Sequence, residues 1–198
     1  MVKKVRDYRR TKLKIVGVDE VGRGALCGPV VASCVYLKEK ISSLKDSKQL
    51  TPKRREFLYS QIKKVSIYSF GIVSQTAIDK LNIFWATQLA FLKAIRNFLR
   101  KSKFNKEETL FIIDGPFFKY KKYNHLCLIS ADRRIKEVQS ASILAKVYRD
   151  RLMLRYDKKF PGWNFSKHKG YATKEHYLSL KERGPSPIHR FSFNLGYE

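Results

Sequence analysis

Two adjacent carboxylates, Asp19 and Glu20, end an apolar run that begins Lys14-Ile15-Val16-Gly17-Val18. Val21-Gly22-Arg23-Gly24 follows at once. Like charges side by side at the end of a buried run repel each other, and they become tolerable where water or a cation sits between them. The glycine-flanked arginine sets backbone N–H donors and a guanidinium beside the pair, an arrangement suited to a metal-bridged phosphodiester. The glycines allow positive φ or a close approach to a partner. Of the 17 acidic residues, two more hold comparable positions: Asp114 ends Thr109-Leu110-Phe111-Ile112-Ile113, and Asp132 lies just beyond Leu126–Ile129. Hard divalent cations take oxygen ligands, and Mg2+ combines a few carboxylates with substrate phosphate. An unrelated loop acid is the plainer reading of any one of the four, but it is uneconomical for all of them.

The acids converge only if the elements beneath them do. Leu13–Asp19 reads as a first strand because Ile15, Val16 and Val18 are β-branched. Gly28–Leu37 is a second, and the short link makes the two antiparallel neighbours. Thr51 as N-cap and Pro52 at the first helical position open a helix to about Lys63. Val65–Ser74 is a third strand. Ala77–Lys103 reads as one long amphipathic helix, with Ile83, Trp85, Leu89, Leu92, Ile95 and Leu99 as a core-facing stripe. Thr109–Asp114 and Leu126–Ile129 are the fourth and fifth strands. A helix from Arg134 to about Lys159 breaks at Pro161-Gly162, and a last one, Thr173–Arg183, stops at Gly184-Pro185.

The expected fold class is therefore α/β. It is a five-stranded mixed sheet flanked by helices, its first three strands antiparallel and its fourth and fifth parallel to the first. Residues 1–198 form one domain, with a small helical C-terminal region from about residue 160. Ligands bind outside the carboxyl ends of strands in such sheets, so this order would bring all four acids to one edge.

The hydrophobic fraction of 43% argues against disorder. The 42 Lys and Arg against 17 Asp and Glu leave a net charge of +25, spread along the whole chain. Self-repulsion on that scale calls for a polyanionic partner, and nucleic acid leads because basic side chains gain affinity by releasing phosphate counterions. An anionic membrane surface is the weaker alternative. No apolar run is long enough to span a bilayer. Met1–Arg10 is charged and lacks a signal-peptide core. Cys27, Cys34 and Cys127 are odd in number and lack C-x-x-C spacing, so they read as reduced thiols of a cytoplasmic protein.

The remaining chemistry-bearing residues have plainer readings. His125, His168, His176 and His189 lack zinc spacing. His168 and His189 lie in basic, aromatic stretches within reach of a substrate, but a structural or surface role is simpler. Asp150, in Tyr148-Arg149-Asp150-Arg151, is expected to pair with the neighbouring arginines. Phe117–Tyr123 interleaves aromatics and lysines as nucleic-acid surfaces do, yet a partly packed loop is the better reading.

Asp19-Glu20-Val21-Gly22-Arg23-Gly24 resembles the signature of the ribonuclease HII family. Asp46-Ser47-Lys48, Ile113-Asp114-Gly115, Ala141-Ser142-Ile143-Leu144-Ala145-Lys146 and His168-Lys169-Gly170-Tyr171 resemble that family's further blocks, in order, from residue 15 to about 195. One block would be weak evidence; five in order are specific. The resemblance implies a ribonuclease H-like fold and a metal-dependent endonuclease. Its substrates would be RNA/DNA hybrids and single ribonucleotides in duplex DNA, its products would carry 5′-phosphate and 3′-hydroxyl ends, and its role would be removing ribonucleotides from DNA. It makes Asp19, Glu20, Asp114 and Asp132 the catalytic, metal-binding acids of a two-metal site for Mg2+ or Mn2+, with Asp19 shared by both ions. Gly22, Arg23 and Gly24 correspond to the loop that recognises the ribonucleotide, and Tyr171 to the tyrosine that works with it. Lys48 and Lys146 are candidate phosphate contacts, although surface solvation explains them equally well.

The expected partners are the hybrid and the ribonucleotide-containing duplex, with no membrane. No protein-partner motif is evident, and a monomer is expected. Two rivals remain. A non-catalytic RNA- or ribosome-binding protein would suit the charge but has no need of four strand-end acids. A nuclease or recombinase of the same fold would cut DNA without a ribose, since fold does not fix function.

Overall fold

The computed structural model describes residues 12–39, 41, 44 and 50–196. Strands β1 (Lys14–Val21), β2 (Val30–Leu37), β3 (Ser66–Val73), β4 (Thr109–Asp114) and β5 (His125–Leu128) form one sheet in the order β3-β2-β1-β4-β5. The β1–β2 and β2–β3 pairs are antiparallel, and the β1–β4 and β4–β5 pairs are parallel, as the sequence leads one to expect. Helices α1 (Pro52–Val65), α2 (Gln75–Ser102), α3 (Lys136–Lys159), α4 (Phe165–His168) and α5 (Lys174–Arg183) accompany it, with a 3-10 turn at Ala131–Arg133. The Thr51 side chain caps α1 by accepting from the Arg54 N–H at 3.3 Å.

Alternation along the strands sorts the side chains between two layers. Val16, Val18, Phe111 and Ile113 pack against Phe91, Ile95 and Phe98 of α2. Ile15 and Ile112 face the other way, against Ile135 and Val138 at the start of α3. Each such fully buried side chain contributes about 1.5–3 kcal/mol. The same period of two puts Asp19 and Asp114 on the α3 side. Gly17 makes that approach feasible: a Cβ there would lie 2.1 Å from the Glu137 carbonyl carbon and 2.2 Å from the Val138 nitrogen.

Three differences from expectation bear on the site or the core, beside shifts of one or two residues at other element ends. β1 continues through Val21, so Asp19 and Glu20 lie inside the strand rather than at its end. Its parallel ladder with β4 is paired as far as Val18 with Ile113, whereas its ladder with β2 runs on through Glu20 with Ala32 and Val21 with Val31. β2 begins at Val30 rather than Gly28, because Gly28 turns to φ 76° and donates its N–H to the Ile188 carbonyl at 2.8 Å.

The long helix is the third. It is broken at Asn82, where φ is 61° and ψ is 166°. The Asn82 side chain accepts from the N–H groups of Phe84 and Trp85, at 3.0 and 3.2 Å, and so caps the second segment. Beyond the break Leu92 and Ile95 are buried as expected, but Trp85 of the anticipated stripe is 39% exposed. Apolar spacing alone does not disclose an internal cap.

Asn82→Ala should destabilise the protein by about 1–2 kcal/mol, because it removes the side-chain cap while the Cβ strain at positive φ stays. Asn82→Gly should lose much less, since glycine adopts that backbone freely. Urea unfolding of the two variants side by side measures the difference.

Candidate active site

At the carboxyl end of β1 and β4, Asp19, Asp114 and Asp132 bring carboxylate oxygens within 4.8 Å of one another. Asp19 and Asp114 each stand one residue past the Val18–Ile113 pair, on the same face of adjacent strands. Asp132 arrives from the 3-10 turn after β5, which Ser130 enters in a left-handed conformation with φ 56°. The turn is tied to the strand below, because the Ala131 N–H donates to Asp114 Oδ1 at 2.7 Å. Asp19 Oδ1 accepts from the Glu20 N–H at 2.7 Å, and Ser142 of α3 bonds its side chain as well.

Glu20 has the opposite parity on β1. Its carboxylate instead meets the Arg23 guanidinium at 3.5 Å. It still lines the same cavity of 420 Å³ as the three aspartates, together with Arg55, Lys146 and Tyr171.

Burial, then repulsion from Glu20 and Asp114, pushes the Asp19 carboxyl well above the usual carboxylate range. Burial likewise pushes Glu20 up to about 7, with Arg23 opposing and Asp114 adding. Three close oxygen donors whose charges oppose one another are the donor set a hard divalent cation fits, Mg2+ or Mn2+ included.

The glycine-arginine-glycine loop forms the adjoining wall, and two wholly buried arginines shape it. Arg190 donates to the carbonyls of Gly22 (2.7 Å), Arg23 (2.9 Å) and Gly28 (2.8 and 3.0 Å). Arg149 of α3 donates to those of Pro29 (3.0 Å), Cys27 (2.9 Å) and Lys169 (2.9 Å). Burial, reinforced by Arg149, lowers Arg190 to about 10, so it stays charged at neutral pH. Gly22 has φ 94°, and a Cβ on it would strike Arg149 Nε at 2.3 Å. Gly24 differs: its φ is ordinary and open space lies where a Cβ would stand. The fold itself does not require a glycine at that position.

Tyr171 lies across from the loop, bridged to Ala25, while the Leu26 N–H donates to the Gly170 carbonyl at 2.8 Å. Its ring centroid is 5.2 Å from both Lys146 Nζ and Arg149 Cζ.

The structure thus gathers Asp19, Glu20, Asp114, Asp132, Lys146 and Tyr171 around one cavity, with Gly22, Arg23 and Gly24 at its side. Lys48 lies outside the described residues. Asp150 corrects one expectation. Its partner is Lys146, at 2.8 Å, while Arg149 is buried elsewhere and Arg151 pairs with Glu56. Phe117–Tyr123 is partly packed as expected, with Phe118 and Tyr123 buried and Phe117 exposed. Sequence reasoning passed over Arg55 and Arg190, took Arg149 for a partner of Asp150, and did not foresee that His168, His176 and His189 would be buried together. Among 42 basic residues nothing marks out these three arginines.

Comparison with known proteins agrees with this geometry. The family model for ribonuclease HII matches residues 16–195. The ribonuclease HII of Thermotoga maritima is 44% identical over 186 residues, covering 94% of this chain and 75% of that protein. The ribonuclease HII of Archaeoglobus fulgidus, solved in complex with PCNA, superposes with a TM-score of 0.76 at 25% identity, covering 92% of this chain and 96% of that one. Bst-RNase HIII, solved in complex with Mn2+, shares the fold with a TM-score of 0.69 at 20% identity, covering 95% of this chain and 69% of that one.

Glu20 is raised from 4.5 to about 7 in the folded protein. Its contribution to stability is therefore full below pH 4.5 and lost as pH rises through 7. Cation binding requires the ionised carboxylates, so the rise in melting temperature on adding Mg2+ or Mn2+ should be larger at pH 8 than at pH 6. In chelator, Asp19→Asn should melt higher than wild type, because it removes a repelled charge. Thermal melts across this grid of pH and metal provide the check; an equal metal increment in the variant would exclude Asp19 as a ligand.

Proposed function

The chain belongs to the ribonuclease HII family and is a ribonuclease H endonuclease, and from that premise we propose that it cuts the RNA strand of RNA/DNA hybrids and single ribonucleotides embedded in duplex DNA. The products carry 5′-phosphate and 3′-hydroxyl ends, and the reaction serves to remove ribonucleotides from DNA. The observation that supports this most is one juxtaposition: a triad of carboxylates, two of them buried and one half-buried, beside a loop that has open space at Gly24.

Asp19, Asp114 and Asp132 hold the divalent ions, with Glu20 completing the set from the cavity rim. When bound there, Mg2+ or Mn2+ supplies the Lewis acidity that activates water and stabilises the leaving 3′-oxygen. The chain's own residues supply position. The Ala131 N–H holds one Asp114 oxygen and aims the other. The Gly22–Gly24 backbone faces the sugar, where only the 2′-hydroxyl distinguishes RNA from DNA. Gly24 lets that sugar approach the main chain. Tyr171 packs on the neighbouring sugar, its ring backed by the Lys146 and Arg149 cations. Lys146 contacts phosphate, with Asp150 holding its ammonium in place. The +25 charge draws in the polyanionic duplex. Free thiols at Cys27, Cys34 and Cys127 support the cytoplasm as its compartment. Among the described residues no helix is long and apolar enough to cross a membrane.

The test is cleavage in Mg2+ of a duplex with one ribonucleotide, beside a long hybrid and an all-DNA duplex. The first two should be cut and the third left intact. Asp114→Asn should lower turnover on both by on the order of 1,000-fold, the several kcal/mol a Lewis acid supplies. Gly24→Ala should leave the melting temperature unchanged yet lower kcat/KM by roughly tenfold or more, about 1.4 kcal/mol. Cleavage of all-DNA duplex at a comparable rate would defeat the reading.

A further inference from the structure

Three of the four histidines form a buried cluster behind Tyr171, away from the carboxylates; His176 and His189 have no solvent exposure. Their hydrogen bonds admit one proton arrangement. The Ser186 N–H donates to His189 Nδ1 at 2.8 Å, so that nitrogen is an acceptor and the His189 proton sits on Nε2. His189 Nε2 lies 2.9 Å from His176 Nε2, which must then accept. The His176 proton is left on Nδ1, which donates to the Tyr171 carbonyl at 3.0 Å. His168 stacks on His176 with ring centroids 4.0 Å apart. It accepts from the Gly170 N–H at 3.1 Å and donates from Nε2 to the Trp163 carbonyl at 2.7 Å.

We infer that His176 and His189 are positioning residues for Tyr171, forming with Ser186 a directional chain of neutral imidazoles that holds the Tyr171 backbone against the recognition loop. The inference rests on the proposed role of Tyr171 in reading the ribonucleotide. His168 fixes the preceding residue of the same turn. The chain runs in one direction because each link leaves the next nitrogen a single role. A proton added to any ring would set a donor against a donor. The charged groups around the cluster are Arg149 and Arg190 beside Cys27, and Lys169, Asp157 and Glu175 around His168. Burial and the neighbouring rings lower His176 to about 4, and burial lowers His189 to about 4, so both are neutral at working pH.

A metal centre is the other chemistry this cluster suggests. Cys27, His176 and His189 present ligand atoms within 4.8 Å of one another. However, every nitrogen of the two histidines is already bonded, burial pushes the Cys27 thiol up to about 12, and two buried guanidinium groups oppose an added cation. The hydrogen-bonded chain accounts for all the atoms.

Two substitutions at His176 separate positioning from plain structure. The amide nitrogen of His176→Asn lies near the lost Nδ1 and can donate to the Tyr171 carbonyl. The amide of His176→Gln reaches the Nε2 position and leaves that carbonyl without a donor. With the full-length protein, His176→Gln should lose roughly tenfold or more in kcat at a lone ribonucleotide with KM little changed, and His176→Asn should recover most of it. Both should melt at similarly lowered temperatures. Equal losses in the two variants, tracking their melting temperatures, would overturn the inference. A second measurement needs no substrate. Imidazole 15N NMR of the wild type should show His176 protonated at Nδ1, His189 at Nε2, and both neutral at pH 5.5. The opposite tautomer at either residue would also overturn it. Absence of cleavage by the wild type would instead count against the proposed function, and the tautomers would still decide the histidine chain.

Discussion

The parallel register of β1 and β4 is the constraint on which the rest depends. Because Val18 pairs with Ile113, the next residue on each strand is an aspartate, and the pleat turns both to the same face. A slip of one residue in either strand would send one carboxylate to the α2 side and bury it in the apolar layer. That layer therefore does more than stabilise the sheet. Phe111 and Ile113 against Phe91, Ile95 and Phe98 define which residues point the other way. The burial of these acids, with the repulsion that neighbouring carboxylates add, is a stored cost, visible in the raised carboxyls of Asp19 and Glu20.

Around this centre the chain uses cations differently according to depth. On the surface they serve the polyanion. In the interior, Arg149 and Arg190 act as templates for main chain, each binding several carbonyls of the loop between β1 and β2. Burying a guanidinium is unfavourable unless its donors are satisfied, and here backbone oxygens satisfy them. The loop has no strand or helix to fix its shape, so the rigid forks of the two arginines take that part.

The sheet order, the four acids and the glycine-arginine-glycine loop were legible in the sequence because each carries a local signal, whereas Tyr171 was reached only through the family resemblance. Apolar runs ending in carboxylates, glycines flanking an arginine, and a Thr-Pro cap need only neighbouring residues to be read. Asn82 was hidden because its cap sits inside an uninterrupted apolar stripe. Asp150 was misassigned because its arginine neighbours in sequence point to opposite sides of α3, leaving Lys146 one turn away. Arg190 was out of reach for a further reason. Its partners lie far off in the chain, Gly22 being 168 residues from it. No periodicity records a contact of that span.

That span orders the assembly of the protein in time. The aspartates of the triad lie between residues 19 and 132, and the helix that supports them, whose Ser142 bonds Asp19, ends at Lys159. The loop between β1 and β2 takes its final form only when Arg190, 168 residues beyond Gly22, sets its guanidinium beneath Gly22 and Gly28. During synthesis from the N-terminus, the carboxylates can therefore come together while the wall beside them is still unbuilt. Closing so long a loop is a late and slow event for a polypeptide. A nascent chain that has not reached Arg190 would carry the acids without the clamp, so the wall of the cavity is completed after its carboxylates.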